Sequence, residues 1–132
     1  MDNTSAARKD KIMRDFKQLK VWQKAHASTL DIYRMSKDFP EDERFALTSQ
    51  LRRAAVSVPS NIAEGCGRQT DRELANFLSI AAGSASEVEY QLLLAKELDY
   101  INGERHRTLD EQINEIKRML NSFIKKVSAA ND

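Results

Sequence analysis

The sequence predicts an all-α fold, an antiparallel up-down-up-down four-helix bundle, and three observations predict it. Four glycines, two prolines and 7% aromatics among 132 residues leave little raw material for turns and strands. Apolar residues recur at spacings of three and four through several long segments, the period of a helix buried along one face. The breaks between those segments are short, around Phe39-Pro40, Gly65-Cys66-Gly67 and Asn102-Gly103, and short connections make neighbouring helices antiparallel.

Residues 1–18 are polar and mixed in charge, with Ile12, Met13 and Phe16 as their only large apolar groups. They bury too little to order themselves and read as a flexible basic arm ahead of a bundle over 19–129. The first helix begins near Leu19. It carries Trp22, His26, Leu30 and Tyr33 on one flank and Val21, Ala25, Ile32 and Met35 on the next. Phe39-Pro40 ends it, since a residue before proline avoids the α region.

Asp42-Glu43-Arg44 leads into a second helix that runs to about Glu64, with its stripe at Leu47, Leu51, Ala54, Ala55, Val58 and Ile62. Pro59 falls inside that stripe. It removes one backbone donor and collides with the carbonyl four residues back, a cost of about 3 kcal/mol, so a kink is expected at Pro59. Asn61 and Glu64 are placed to turn toward groups left unpaired there and at the helix end, which makes them a candidate structural polar cluster. The alternative is a binding site.

Gly65-Cys66-Gly67 supplies permissive backbone for a stop, and Thr70-Asp71-Arg72-Glu73 reads as a capping box that opens the third helix. Leu74, Leu78, Ala81, Ala85, Val88, Leu92 and Ala95 form a seam of the left-handed bundle type. After Asn102-Gly103, Leu109, Ile113, Ile116, Leu120, Phe123 and Val127 repeat it in the fourth helix. The third helix has apolar surface to spare, including Phe77, Ile80 and Leu94, and a small-residue strip around Ser84 that permits close approach. Either it faces two neighbours within one bundle or Phe77, Ile80, Ser84 and Leu94 meet another subunit.

The composition excludes several classes of function. With 21 Lys and Arg against 20 Asp and Glu, the net charge of +1 exerts no global pull on polyanions. One cysteine, Cys66, cannot build a disulfide framework and fits a reducing compartment, and no segment approaches the roughly 18 apolar residues of a membrane span. A soluble, cytoplasmic protein is expected. The two histidines, His26 and His106, complete neither a nucleophile's base nor a metal-ligand spacing, and no phosphate-binding glycine loop is present. No enzyme, cofactor, metal or small-molecule substrate is predicted.

Local charge is segregated. Arg44, Arg52, Arg53, Arg68 and Arg72 face only Glu64 and Asp71 between residues 44 and 72, whereas residues 73–98 hold four glutamates and one lysine. Arginine suits phosphate through its bidentate fork. Arg52, Arg53, Arg68 and Arg72, with Lys17 of the arm and Lys20 just after it, are therefore candidate nucleic-acid contacts. The same arginines could equally pair with the acidic third helix.

Three motifs, LKVWQKA at 19–25, LTSQLRRAAVSVPSNIAEG at 47–65 and FLSIAAGSASEVEYQL at 77–92, carry a resemblance. Together they resemble the four-helix-bundle proteins encoded in bacterial 23S ribosomal RNA intervening sequences, over roughly residues 15 to 127. A similar bundle serves as the accessory protein of diversity-generating retroelements. The resemblance implies a cytoplasmic, non-enzymatic bundle that assembles into a ring, a homopentamer, and it suggests association with RNA or DNA. The competing expectation is a protein–protein interaction scaffold that binds no nucleic acid.

Overall fold

The computed structural model describes residues 15–129. Four α-helices follow in order, α1 Lys20–Ser36, α2 Leu47–Cys66, α3 Asp71–Glu97 and α4 Gly103–Ala129, with single 3-10 turns at Phe16–Gln18 and Glu41–Glu43. Each α-helix packs against its successor and α4 packs against α1, so the four enclose one core. The helical period decides which side chains enter it. All seven residues of the α3 seam are at most 1% exposed, and on α4 Leu109, Ile113, Ile116, Leu120 and Val127 are buried while Phe123 is half-buried. Each large side chain hidden in this way contributes about 1.5–3 kcal/mol.

Small residues set how closely the helices approach. Ala54, Ala55, Ala81 and Ala85 are buried, and a β-carbon added at Gly65 would meet Leu74 Cδ1 and Phe77 Cβ at 2.9 Å. Gly65 therefore lets α2 touch α3. The helix does stop at Gly65-Cys66-Gly67, with Gly67 as its C-cap, but without a left-handed glycine, because Gly65 is helical and Gly67 has an ordinary right-handed φ of −84°. The left-handed stop lies elsewhere. Asp99 adopts φ 63° after α3, and the amides of Asp99 and Tyr100 return to the carbonyls of Lys96 and Ala95, each at 2.9 Å. Aspartate tolerates that conformation better than most residues. Asn102 then caps α4, its side chain accepting from the Arg105 amide at 2.7 Å.

α2 continues through Pro59 as one helix. The carbonyl that loses its partner is that of Ala55, four residues back, and the single hydroxyl proton of Thr29 in α1, shared with the Ala25 carbonyl, stands in for the missing donor. The Thr29 hydroxyl lies 3.1 Å from the Ala55 carbonyl and 2.8 Å from that of Ala25. Asn61 and Glu64 do not form one cluster around the proline, contrary to expectation. Asn61 donates to the Ser57 carbonyl at 2.8 Å and to its hydroxyl at 2.9 Å, while Glu64 is exposed and pairs with Arg68 at 2.9 Å. The Ser57 and Ser84 hydroxyls, 2.8 Å apart, link α2 to α3.

At the end of the bundle that holds the α1–α2 and α3–α4 connections, buried Phe39 lies 5.5 Å from the Tyr100 ring, and the Tyr100 hydroxyl donates to Glu43 at 2.7 Å. At the start of α1, Phe16 packs edge-on against Trp22 at 4.9 Å. The described part of the expected arm, residues 15–18, is thus a turn packed on the bundle. Residues 1–14 of that arm lie outside the described residues.

Candidate nucleic-acid interface

Residues of α2 out of phase with its buried stripe, together with the segment before it, build an outward groove against α1. Arg44, Phe45, Ser49, Arg53 and Val56 line it on one side and Tyr33 on the other, with Thr48 and Arg52 between, enclosing about 530 Å³. Phe45 is 89% exposed, and the Arg44 guanidinium lies 5.4 Å from its ring. An isolated exposed leucine means little, but a nearly bare phenylalanine beside a cation and above a cavity is informative.

Arg52 and Arg53 are neighbours with different duties. The Arg52 guanidinium stacks 5.0 Å from the Tyr33 ring and donates to the Ser36 hydroxyl at 2.8 Å and to the Tyr33 carbonyl at 3.2 Å. These acceptors sit in the last turn of α1, whose carbonyls lack helical partners and carry the negative end of the helix dipole. Arg52 thus caps α1 and holds the groove's floor. Arg53 is exposed and engages no described residue.

The six basic candidates do not form one patch. Only Arg52 and Arg53 share the groove. Arg68 lies near the end of α2, paired with Glu64 and 4.9 Å from the Phe77 ring, and Arg72 is exposed in the first turn of α3. Lys17 lies over Phe16 at 5.8 Å, and Lys20 lines a second, apolar groove of about 700 Å³ with Val21, Met119, Phe123 and Lys126. The candidate interface residues fall on one stripe of α3. Ile80 is 52% exposed, Phe77 and Leu94 are half-buried, and Ser84 bonds Ser57.

The residue most prominent in the groove, Phe45, was not singled out by sequence reasoning. Its signal was available, because it precedes Leu47 by two positions and so cannot share the buried stripe. The partners that tie Arg52 down lie on another helix, beyond any local sequence pattern.

Among the described residues, three groups outside the groove have displaced acidities. A hydrogen bond to Lys117 holds the Glu89 carboxyl below its usual range, a hydrogen bond to Lys24 does the same for Glu115, and the bond to Glu43 raises the Tyr100 hydroxyl. His26 stacks on Trp22 at 4.9 Å. His106 is half-buried, with its Nε2 closed off and unpartnered among the described residues. Among those residues no group of three or more His, Cys, Asp or Glu is placed to hold a metal, and no helix is long and apolar enough to cross a membrane.

Comparison with known proteins extends this geometry. The model of the family described as 23S rRNA-intervening sequence protein matches residues 17–122. A crystal structure of a protein of unknown function from the S23 ribosomal protein family of Bacteroides thetaiotaomicron VPI-5482 is similar at 30% identity. Its TM-score is 0.75, and the match covers 80% of this chain and 98% of that one. No curated protein matches.

Proposed function

This chain belongs to the 23S rRNA-intervening sequence protein family, and we propose that it is a non-enzymatic, ring-forming bundle that binds single-stranded nucleic acid along the α1–α2 groove. The observation that carries this reading is Phe45, 89% exposed beside Arg44 and Arg53. A bare aromatic ring stacks on any base, at about 1–3 kcal/mol per base, and flanking guanidiniums take the phosphates, which is how sequence-tolerant single-strand surfaces work. Repetition around a homopentamer multiplies a weak site by avidity. Nothing in the groove reads base edges, so sequence preference is slight.

Fluorescence anisotropy with labelled single-stranded RNA and DNA at about 50 mM and about 200 mM salt tests the reading, since counterion release makes affinity fall by a log–log slope of about 0.7 per phosphate contacted. Phe45→Ala should weaken binding at both salts, and Arg53→Glu should lower the slope, with secondary structure and oligomer mass unchanged. Absence of binding at the lower salt overturns it.

The exposed side chains of the α3 stripe, Ile80 and Leu98, favour a second reading as a protein-binding scaffold. Light scattering on Ile80→Glu separates the roles. A fall in mass assigns that stripe to the ring, and an unchanged oligomer leaves it open to another partner.

A further inference from the structure

We infer that Tyr100 and Glu43 are positioning residues for the groove: their hydrogen bond ties the segment before α2 to the α3–α4 connection and so holds the Phe45 ring where a base can stack on it. This rests on the reading of the groove as a nucleic-acid surface.

Phe45 does not hold itself in place. Its ring is 89% exposed, with the guanidinium of its own neighbour Arg44 at 5.4 Å. A ring with so little packed against it goes where its backbone goes. Downstream, that backbone is anchored by Leu47, which is buried in the core. Upstream, the amides of Glu43, Arg44 and Ala46 bond the carbonyls of Pro40, Glu41 and Glu43, each at 3.0 Å. Bonds of that kind give the segment a shape but no place on the bundle.

Glu43 supplies the place. Its Oε2 accepts from the Tyr100 hydroxyl at 2.7 Å, 57 positions along the chain, and its Oε1 accepts from the Leu47 amide at 3.4 Å. Among the described residues no other side chain of residues 41–46 hydrogen-bonds another helix or connection. An O–H donor on an ionised acceptor is among the stronger hydrogen bonds in proteins.

Tyr100 is itself fixed. Asp99, in the left-handed region at φ 63°, turns the chain out of α3, and the Tyr100 amide returns to the Ala95 carbonyl at 2.9 Å. The Tyr100 ring lies 5.5 Å from that of buried Phe39. The anchor therefore runs from the end of α3 to the rim of a groove that neither Tyr100 nor Glu43 lines.

Tyr100→Phe isolates the anchor, because it removes the hydroxyl and keeps the ring on Phe39, so the variant should fold as the parent does. Affinity of the full-length protein for a labelled single-stranded RNA oligonucleotide, measured by anisotropy, should fall roughly threefold to tenfold, the scale of one hydrogen bond. The same substitution made in Phe45→Ala should weaken binding no further, because the ring it acts through is gone. A general loss of stability would not depend on Phe45 in this way. Amide hydrogen exchange is the second readout: Ala46 should exchange faster in Tyr100→Phe while amides in the middle of α2 keep their rates. Unchanged affinity, or a loss as large in Phe45→Ala as in the parent, overturns the inference. If no strand binds the parent protein, the nucleic-acid reading fails and exchange decides the anchor alone, which faster exchange at Ala46 keeps and an unchanged rate overturns.

Discussion

Two stripes of α3 follow the same alternation of three and four residues and meet opposite fates. Leu74, Leu78, Ala81, Ala85, Val88, Leu92 and Ala95 are sealed inside the bundle, whereas Phe77, Ile80, Ser84, Glu87, Leu94 and Leu98 run beside them and are covered only in part, with Gln91 the one buried member of their stripe. Periodicity alone does not separate them. Composition does, because the inner stripe is wholly aliphatic and the outer one alternates apolar groups with Ser84, Glu87 and Gln91. A stripe of the second kind keeps the helix attached to its neighbour and leaves surface for another molecule.

Leu92 on the inner stripe and Leu93, which lies on neither, show how steeply burial changes around α3, since identical side chains one position apart are 0% and 40% exposed. Leu92→Ala should cost about 2–5 kcal/mol through lost burial and a residual cavity. Leu93→Ala should cost under about 0.5 kcal/mol. Chemical denaturation of both measures the difference, and equal losses would mean that α3 is buried on both sides within one chain. Overpacking probes the same seam less severely. Ala81→Phe or Ala85→Phe should destabilise by about 1–3 kcal/mol, and an unchanged thermal midpoint would show that the seam has room the close helix contact denies.

The α1–α2 contact differs from the α2–α3 contact in how it handles polar groups. Thr29→Val keeps the shape of the side chain but strips the Ala55 carbonyl of its replacement donor, at about 1–2 kcal/mol. Thr29→Ser should restore most of the loss. Asn61→Ala, whose partners belong to its own helix at Ser57, should cost less, about 0.5–1.5 kcal/mol. If Asn61→Ala proved the worse of the two, the proline would be supported from within α2.

These contrasts mark what the sequence could and could not say. The four helices, the α3 seam and the Thr70 cap were legible because they depend on spacing within one segment, and Thr70 does accept from the Glu73 amide at 3.2 Å. The partner of the Pro59-orphaned carbonyl was not, because Thr29 lies 26 residues before Ala55 and its spacing carries no trace of that contact. The residue that turns the chain after α3 was not legible, for a local reason. Glycine is the usual left-handed residue, and Asp99 performs that part while Gly103 sits in α4 with open space around it. At the groove, arginines were legible as cations, but only the fold distinguishes Arg52, tied to α1, from Arg53.

The smallest effect concerns the ion pairs that join helices across the surface. Lys117 bonds Glu89 at 2.8 Å between α4 and α3, with 27% and 35% of the two side chains exposed. The bond lowers the Glu89 carboxyl from its ordinary value of 4.5, so the folded state binds that proton less readily than the unfolded chain does. The stabilisation it brings is present above the ordinary value and is lost as the pH falls through the lowered one. Solvent reaches both groups, so it amounts to less than about 1 kcal/mol. Wild type and Lys117→Met should therefore differ by that small margin near neutrality and converge in acid, and salt at about 1 M should narrow the gap by screening. A difference that persisted undiminished below the ordinary carboxylate range would belong to packing of the Lys117 stem against α3 rather than to its charge.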